Sequence, residues 1–329
     1  MGIFKFNLNL PVQTSPRVNL PSRRELPSPQ KQHQIWAVGG GKGGIGKTLL
    51  SSNLAILLTW YKQKVIVVDM DLGGANLHTT LGVDTPTKTL SDFLLGKVDS
   101  VEELLHATPY KNLQIISGAQ DPVGIANVPH IEKARLIRKL KETESDIVLL
   151  DLGAGTANHT LDFFLLADKK IVVITPDPTS IENAYRFIKA AFYRSLRSAA
   201  PSPFVRQAIE QAIHQKGIES PKALLAEIVR ISPQEGAEIR AKMQNFEVSI
   251  ILNQARIPAE ANIGKSVEQV ASRYFGIQVE FVGFLAYDNA VWQSIRKRVP
   301  FLLDSPNSSA VTQLEDCLRN LIKIKKQGQ

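Results

Sequence analysis

Residues 41–48 read Gly41-Lys42-Gly43-Gly44-Ile45-Gly46-Lys47-Thr48. This run matches the P-loop pattern, in which four residues separate a first glycine from a Gly-Lys-Ser/Thr end. A short apolar run precedes it, and a helical pattern over residues 49–60 follows it. Glycines let the backbone curl so that its N–H groups and the positive end of the following helix converge on phosphate. The sequence therefore predicts a nucleotide-phosphate site from Gly41 to Leu49.

The side chains of this loop have separate expected roles. Lys47 is expected to contact the β- and γ-phosphates of ATP, and the hydroxyl of Thr48 is expected to bind Mg²⁺. Lys42 is a second lysine that a generic P-loop does not require. The pattern by itself gives Lys42 no role beyond that of a solvent-exposed loop residue.

Short apolar runs rich in Val, Ile and Leu alternate with helical patterns from Ile35 onward, which indicates a parallel sheet with crossover helices. Several runs are apolar throughout, as in central strands covered on both faces. We predict an α/β fold, a doubly wound and mostly parallel sheet of about seven strands with helices on both faces. The predicted strands span residues 35–38, 65–69, 113–117, 147–151, 171–175, 248–252 and 279–284.

Acidic residues end two of these strands, at the sheet edge where ligands of such folds bind. Asp69 ends the second strand, and Asp71 lies just beyond it, in a segment loosened by glycines. We expect Asp71 to orient the attacking water and to belong to the metal site, and Asp69 to fix the local structure or the outer shell of the metal. Asp151 ends the fourth strand, where a Walker B aspartate holds Mg²⁺ through a water. An acid at a strand end is more often a turn or cap residue, so that alternative stays open.

The loop with its second lysine resembles the deviant Walker motif of MinD/ParA ATPases. The resemblance covers roughly residues 35–195 and 248–303, and it implies an ATPase whose Lys42 reaches the phosphates of a partner subunit. It implies that Asp71 is the catalytic aspartate, that Gly155 belongs to the γ-phosphate-sensing second switch, and that Asn253 contacts adenine. A turn residue at a strand end is the alternative interpretation of Asn253.

Two segments resemble the FlhG branch of this family, which controls flagellar number and placement. They are residues 175–185, Thr-Pro-Asp-Pro-Thr-Ser-Ile-Glu-Asn-Ala-Tyr, and residues 89–92, Thr-Leu-Ser-Asp. Ser180 and Asn183 also fit an ordinary helix cap. The chain departs from MinD proteins at Gly74, Ala75 and His78, where they usually carry Leu, Arg and Asp. It also lacks the Asp-Gln-Ala start of the activating helix of the FlhG branch.

Composition excludes several classes of protein. Cys317 is the only cysteine, so one chain cannot form a disulfide or hold an iron–sulfur cluster with cysteines. No apolar run reaches the roughly 18 residues of a membrane span, and no signal peptide is evident. We therefore expect a cytoplasmic protein, with the inner face of the cell membrane as a second, peripheral location. Half of the formal charge of +8 falls in residues 1–33, whose five prolines predict a disordered arm.

The predicted organisation has three parts. The basic, proline-rich arm of residues 1–33 precedes an ATPase domain of residues 34–310, and an amphipathic helix with a basic tail occupies residues 311–329. Residues 195–246 are predicted to be a helical insertion outside the ATP site, with Pro201, Pro221 and Pro233 at helix starts.

The C-terminal helix has two open uses. Membrane contact is one, and packing on the core is the other, which the lack of Phe or Trp on the apolar face favours. The residues of that face are Val311, Leu314, Leu318 and Leu321.

The function that these features favour is an ATP-dependent, dimerising switch that positions a cellular structure such as the flagella or the division site. ATP and Mg²⁺ are the expected cofactors, a second copy bridged by ATP is the expected partner, and a protein partner is expected on the switch segments or the insertion. A DNA-partition ATPase and a metabolic ATP-dependent ligase on the same fold are the alternatives. The partition alternative depends on the basic arm and on the run Arg296-Lys297-Arg298, whose charge could contact DNA. A solvated helix end is the other interpretation of this run.

Overall fold

The computed structural model describes residues 33–71, 74–118, 130–200, 202–214 and 220–323. The predicted arm up to residue 32, the helix start at Pro201 and the basic tail after Lys323 lie outside these ranges.

One eight-stranded sheet organises the described chain, in the order β3-β4-β2-β5-β1-β6-β7-β8. The seven predicted strands are all present, and each end lies within three residues of its prediction. The additional strand, β3, has two residues and pairs antiparallel with β4, whereas all other pairs are parallel. The strands are β1 Gln34–Gly39, β2 Val65–Met70, β3 His106–Ala107, β4 Leu113–Ile116, β5 Ile147–Leu152, β6 Lys169–Ile174, β7 Glu247–Ala255 and β8 Gln278–Ala286.

Helices cover both faces of the sheet. Ile35 and Ala37 of β1 face one apolar cluster, and Trp36 and Val38 face the other, because alternate side chains of a strand point to opposite sides. Helices α3 to α10 contribute to the first cluster, and α1, α2, α12 and α13 to the second. The helices are α1 Lys47–Trp60, α2 Leu77–Thr80, α3 Leu90–Leu94, α4 His130–Lys141, α5 Asn158–Leu166, α6 Pro178–Ala199, α7 Pro203–His214, α8 Pro221–Ile231, α9 Pro233–Gln244, α10 Ala261–Phe275, α11 Asn289–Lys297, α12 Phe301–Asp304 and α13 Ser309–Lys323.

The predicted insertion forms three helices, α7 to α9, but it is more closely joined to the core than expected. Its predicted start at residue 195 lies inside α6, which continues to Ala199, and the first helix begins at Pro203. Its apolar residues belong to the same cluster as those of α6 and α10; they include Val205, Ile209, Leu224, Ile228, Ile239 and Met243. The insertion is therefore part of the fold's main core.

The apolar face of α13 is covered. Val311, Leu314, Leu318 and Leu321 are each at most 2% exposed, and the buried ammonium of Lys169 donates to the carbonyl of Leu321. Of the two uses predicted for this helix, the structure shows packing on the core, and membrane contact stays a prediction. No helix in the described ranges is long and apolar enough to span a membrane.

Candidate nucleotide site

The P-loop connects β1 to α1, and two of its glycines have a left-handed backbone. Gly44 and Gly46 have φ values of 76° and 90°, in the left-handed region that favours glycine. Gly46 is the N-cap residue of α1, and no described side chain caps the first N–H groups of that helix. The amino end of α1 therefore presents its N–H groups and its positive dipole to a ligand.

Lys47 turns its side chain back into its own loop. It is buried, and its Nζ donates to the carbonyl of Lys42 at 3.1 Å. Burial lowers the pKa of Lys47, while the carboxylates of Asp151 and Asp71 oppose that shift. The ammonium lies where it can exchange the carbonyl of Lys42 for phosphate oxygens.

Lys42 points out of the loop, to the amino end of α6. Its Nζ donates to Thr179 Oγ1 at 2.9 Å and lies 3.3 Å from Asp177 Oδ1. Asp177 also caps α6 by accepting from the N–H of Ser180 at 2.9 Å. Hydrogen bonds, first from the hydroxyl of Thr175 and then from that of Thr179, hold the pKa of Asp177 well below its usual range. In the single chain, the side chain of Lys42 thus contacts α6 and its N-cap, and it does not turn into the P-loop as Lys47 does.

Two buried carboxylates lie side by side on adjacent strands, and one of them, Asp151, faces the P-loop lysine. Asp69 and Asp151 are paired in the register of β2 and β5 and are 1% and 2% exposed. Burial, and then the neighbouring Asp69, raises the pKa of Asp151 to about 7, although hydrogen bonds from Thr48 and Ser51 lower it. The hydroxyl of Ser51 donates to Asp151 Oδ1 at 2.9 Å. Ser51 was not predicted, although it follows Thr48 by three residues and so lies on the same face of α1.

Asp69 holds the two ends of the segment that carries Asp71. Its Oδ1 accepts from the N–H of Asp71, and its Oδ2 accepts from the N–H of Leu77, each at 3.0 Å. Burial raises the pKa of Asp69 to about 6. This geometry agrees with the predicted role of Asp69 in fixing local structure.

Asp71 lies between the P-loop lysine and the second glycine-rich segment. A Cβ added to Gly153 would lie 3.4 Å from Asp71 Oδ1, and Asp71 is close enough to Lys47 to oppose the fall in its pKa. Gly155, with φ 88°, donates its N–H to the carbonyl of Gly40 at 3.3 Å. The two segments predicted to be switches therefore both approach the P-loop, one at Lys47 and the other at Gly40, the residue before the loop.

Asn253 contacts the backbone of the P-loop. Its Nδ2 donates to the carbonyl of Ile45 at 2.9 Å, and the side chain is 5% exposed. A Cβ on Gly46 would approach this Nδ2 to 2.2 Å, so the glycine is needed for the close approach. The amide here supports the loop, and the adenine contact stays a prediction.

The residues present fit a magnesium ion beside a bound nucleotide. Thr48 and Asp151 offer a hydroxyl and a carboxylate, the oxygen ligands that Mg²⁺ prefers. The raised pKa of buried Asp151 indicates a carboxylate that a cation would stabilise. Among the described residues, no cluster of three or more His, Cys, Asp or Glu side chains could hold an ion by itself. Mg²⁺ usually takes one or two protein ligands and completes its shell with phosphate oxygens and water.

Comparison with known proteins agrees with this geometry. The family described as AAA domain matches residues 33–197, half of the chain. Antiactivator FleN of Pseudomonas aeruginosa is 27% identical over 279 residues, which are 84% of this chain and 82% of that protein. The septum site-determining protein MinD of Pyrococcus horikoshii, solved with Mg-ADP, superposes with a TM-score of 0.59 at 20% identity, over 90% of this chain and 96% of that one.

The chain belongs to the MinD/ParA family of P-loop ATPases. A second relative places it near the FlhG branch of that family. This is the flagellum site-determining protein YlxH of Helicobacter pylori, which is 34% identical over 158 residues, 46% of this chain and 52% of that protein. The family match over residues 33–197 includes the P-loop, Asp71, Asp151, Gly155 and nearly all of α6, and it does not include Asn253.

Proposed function

We propose that this chain is a Mg²⁺-dependent ATPase that dimerises around ATP and, as a switch, sets the position or number of a cellular structure such as a flagellum or septum. The observation that carries this proposal is that the two lysines of the P-loop point in different directions. Lys47 turns into its own loop, whereas Lys42 leaves the loop and rests on α6. A site that worked within one subunit would not need a second loop lysine directed away from its own phosphates.

Hydrolysis would use groups that already meet at the P-loop. Lys47 and the N–H groups at the amino end of α1 would hold the β- and γ-phosphates. Asp71 would accept a hydrogen bond from the water that attacks the γ-phosphorus, while the bond from that phosphorus to the bridging oxygen breaks and ADP leaves. Thr48 and Asp151 would hold Mg²⁺, which supplies charge neutralisation on the phosphate oxygens.

The relatives support a role in placing a structure. One is named a flagellum site-determining protein, and the superposed structure is a septum site-determining protein. We propose that dimerisation changes the surface formed by the switch segments, because these contact the P-loop directly. A protein partner that binds only the dimer would then be recruited with ATP and released after hydrolysis.

The dependence of ATPase activity on protein concentration tests the proposal. If the active species is a dimer, phosphate release per subunit should rise with protein concentration. At concentrations where the wild type is a dimer, Lys42→Ala should be at least about tenfold slower, because it loses an electrostatic contact to the transferred phosphate. Lys265→Ala, an exposed lysine on α10, is the matched control and should behave like the wild type. Activity per subunit that does not change with concentration, and that Lys42→Ala retains, would contradict the proposal.

A further inference from the structure

Arg298 ends α11 in an unusual way, by contacting the segment that follows α2. It is the C-cap residue, with φ 55° and ψ 38° in the left-handed region. One guanidinium nitrogen, Nη2, donates to the carbonyl of Val83 at 2.9 Å and lies 3.9 Å from Asp84 Oδ1. A Cβ on Gly82 would approach the carbonyl oxygen of Arg298 to 2.7 Å. Both the side chain and the backbone of Arg298 therefore pack on residues 82–84.

An arginine is an unfavourable choice for a simple helix end at this position. Glycine adopts the left-handed conformation without strain, and an arginine does not. Arg298 Nε is also buried, and it makes no hydrogen bond to any residue in the described ranges; the same is true of His78 Nδ1 on α2. Burial, and then the charge of Arg298, lowers the pKa of His78. Strain and unmet hydrogen bonds in one contact indicate a role other than stability.

Helix α2 connects this contact to the catalytic segment. It begins at Leu77, whose N–H is held by Asp69, and the same carboxylate holds the N–H of Asp71. Its other end continues to Val83, whose N–H donates to the carbonyl of His78 at 2.9 Å. The single turn of α2 is thus fixed by Asp69 at its start and by Arg298 just beyond its end.

Helix α11 is itself anchored beside the P-loop. Asp288 caps it by accepting from the N–H of Ala290 at 2.8 Å, and the preceding Tyr287 donates its N–H to the carbonyl of Ala255 at 2.7 Å. Ala255 ends β7, two residues after Asn253, which supports the P-loop. Arg298 therefore joins an element fixed to the nucleotide loop to the element that follows Asp71.

We propose that Arg298 is a positioning residue for ATP hydrolysis, which fixes α2, and through it the Asp71 segment, relative to the P-loop. This inference rests on the proposed role of Asp71. It concerns the rate of hydrolysis and not the binding of ATP, because the contacts of Arg298 are with residues 82–84 and not with the P-loop, Asp69 or Asp151.

The test separates turnover from affinity. Arg298→Gly removes the guanidinium and suits the left-handed backbone, so kcat should fall about tenfold, as expected of a small displacement of a catalytic group. The Kd for ATP should stay within about twofold, since the phosphate contacts are unchanged. Arg298→Lys, which can still donate to Val83, should recover part of kcat. Lys297→Ala is the control, because this neighbouring cation pairs with Asp304 and does not contact α2.

Each outcome is decisive when Asp71→Ala is measured alongside. If Asp71→Ala loses hydrolysis while Arg298→Gly keeps the wild-type kcat, Arg298 has no positioning role and the proposed function stands. If Asp71→Ala itself keeps hydrolysis, the proposed function fails first. A fall in ATP affinity equal to the fall in kcat/KM, or a lower melting temperature with no recovery in Arg298→Lys, would show that Arg298 is only structural.

Discussion

Asp69 and Asp151 are the residues whose state depends most on what occupies the site. They lie side by side on two central strands, almost fully buried, and Lys47 is the cation that faces Asp151. Burying a carboxylate favours its protonated form, and a second carboxylate beside it adds to the effect. A bound cation would instead favour the charged form of both carboxylates. Without a cation, their burial lowers the stability of the fold at neutral pH.

We predict that nucleotide-free protein is more stable at pH 5 than at pH 8. The pKa of Asp69 is raised from 3.8 to about 6 and that of Asp151 from 3.8 to about 7. Protonation therefore favours the folded state, and this stabilisation is complete below the unfolded pKa and is lost as the pH rises through 6 and 7. The unfolding temperature, measured by calorimetry, should be higher at pH 5 by about 3 °C or more.

Asp151→Asn is the matched control for this pH dependence, because its amide is neutral at both values. The difference in unfolding temperature between pH 5 and pH 8 should shrink in that variant. An undiminished difference would show that Asp151 does not carry a raised pKa.

Lys47→Ala should lower ATP affinity by about 100-fold. The variant loses the main cation at the phosphates and leaves two carboxylates facing the same place, and charged hydrogen bonds of this kind contribute about 1.5–3 kcal/mol each. Titration calorimetry with ATP measures the change. Lys42→Ala is the comparison, and it should keep its affinity at protein concentrations low enough for the wild type to stay monomeric. Equal affinities in all three proteins would remove the P-loop assignment.

At the scale of elements, the sequence predicts the helices and strands that have a regular apolar pattern. It does not predict features that depend on contacts between residues far apart in the chain. The seven parallel strands are short runs rich in Val, Ile and Leu, so they were predictable. Strand β3 has only two residues, and it forms by pairing with β4. The P-loop and Asp151 were predictable from local motifs. The contact of Lys42 with Asp177 was not, because 135 residues separate them and only the packing of the P-loop on α6 brings them together.

The insertion should support stability and not nucleotide binding. Ile239 of α9 is fully buried in the main cluster. The P-loop contacts described above involve no residue of α7 to α9 among those whose side chains the structure describes. Ile239→Ala should lower the free energy of unfolding by about 3 kcal/mol, with unchanged ATP affinity in the folded protein. The exposed Glu238→Ala on the same helix is the control and should change neither quantity.

Helix α13 should behave as a core helix. Leu318 is fully buried against the second cluster, so Leu318→Ala should lower the free energy of unfolding by about 3 kcal/mol in urea. Sedimentation with anionic liposomes should be the same for this variant and the wild type. A stable Leu318→Ala protein that no longer sediments with liposomes would instead favour the membrane use of this face.

At the scale of the molecule, the described subunit forms a P-loop in which only Lys47 turns toward the phosphate site. Lys42, the other lysine of the loop, contacts α6. A symmetric dimer would supply that lysine to each site from the opposite subunit, so that each ATP contacts both chains. Binding of ATP and association would then be coupled, and hydrolysis would weaken both. This account of a nucleotide-bridged switch is the central claim.

Sedimentation of Asp71→Ala in saturating Mg-ATP tests that claim most directly. The ligands expected for ATP and Mg²⁺ are Lys47, Thr48 and Asp151, so the variant should bind both while losing most hydrolysis. We predict that it sediments as a stable dimer of the 36.3 kDa chain with ATP and as a monomer with ADP. The double variant with Lys42→Ala should remain monomeric with either nucleotide. An Asp71→Ala protein that binds ATP with full affinity and stays monomeric would contradict the account.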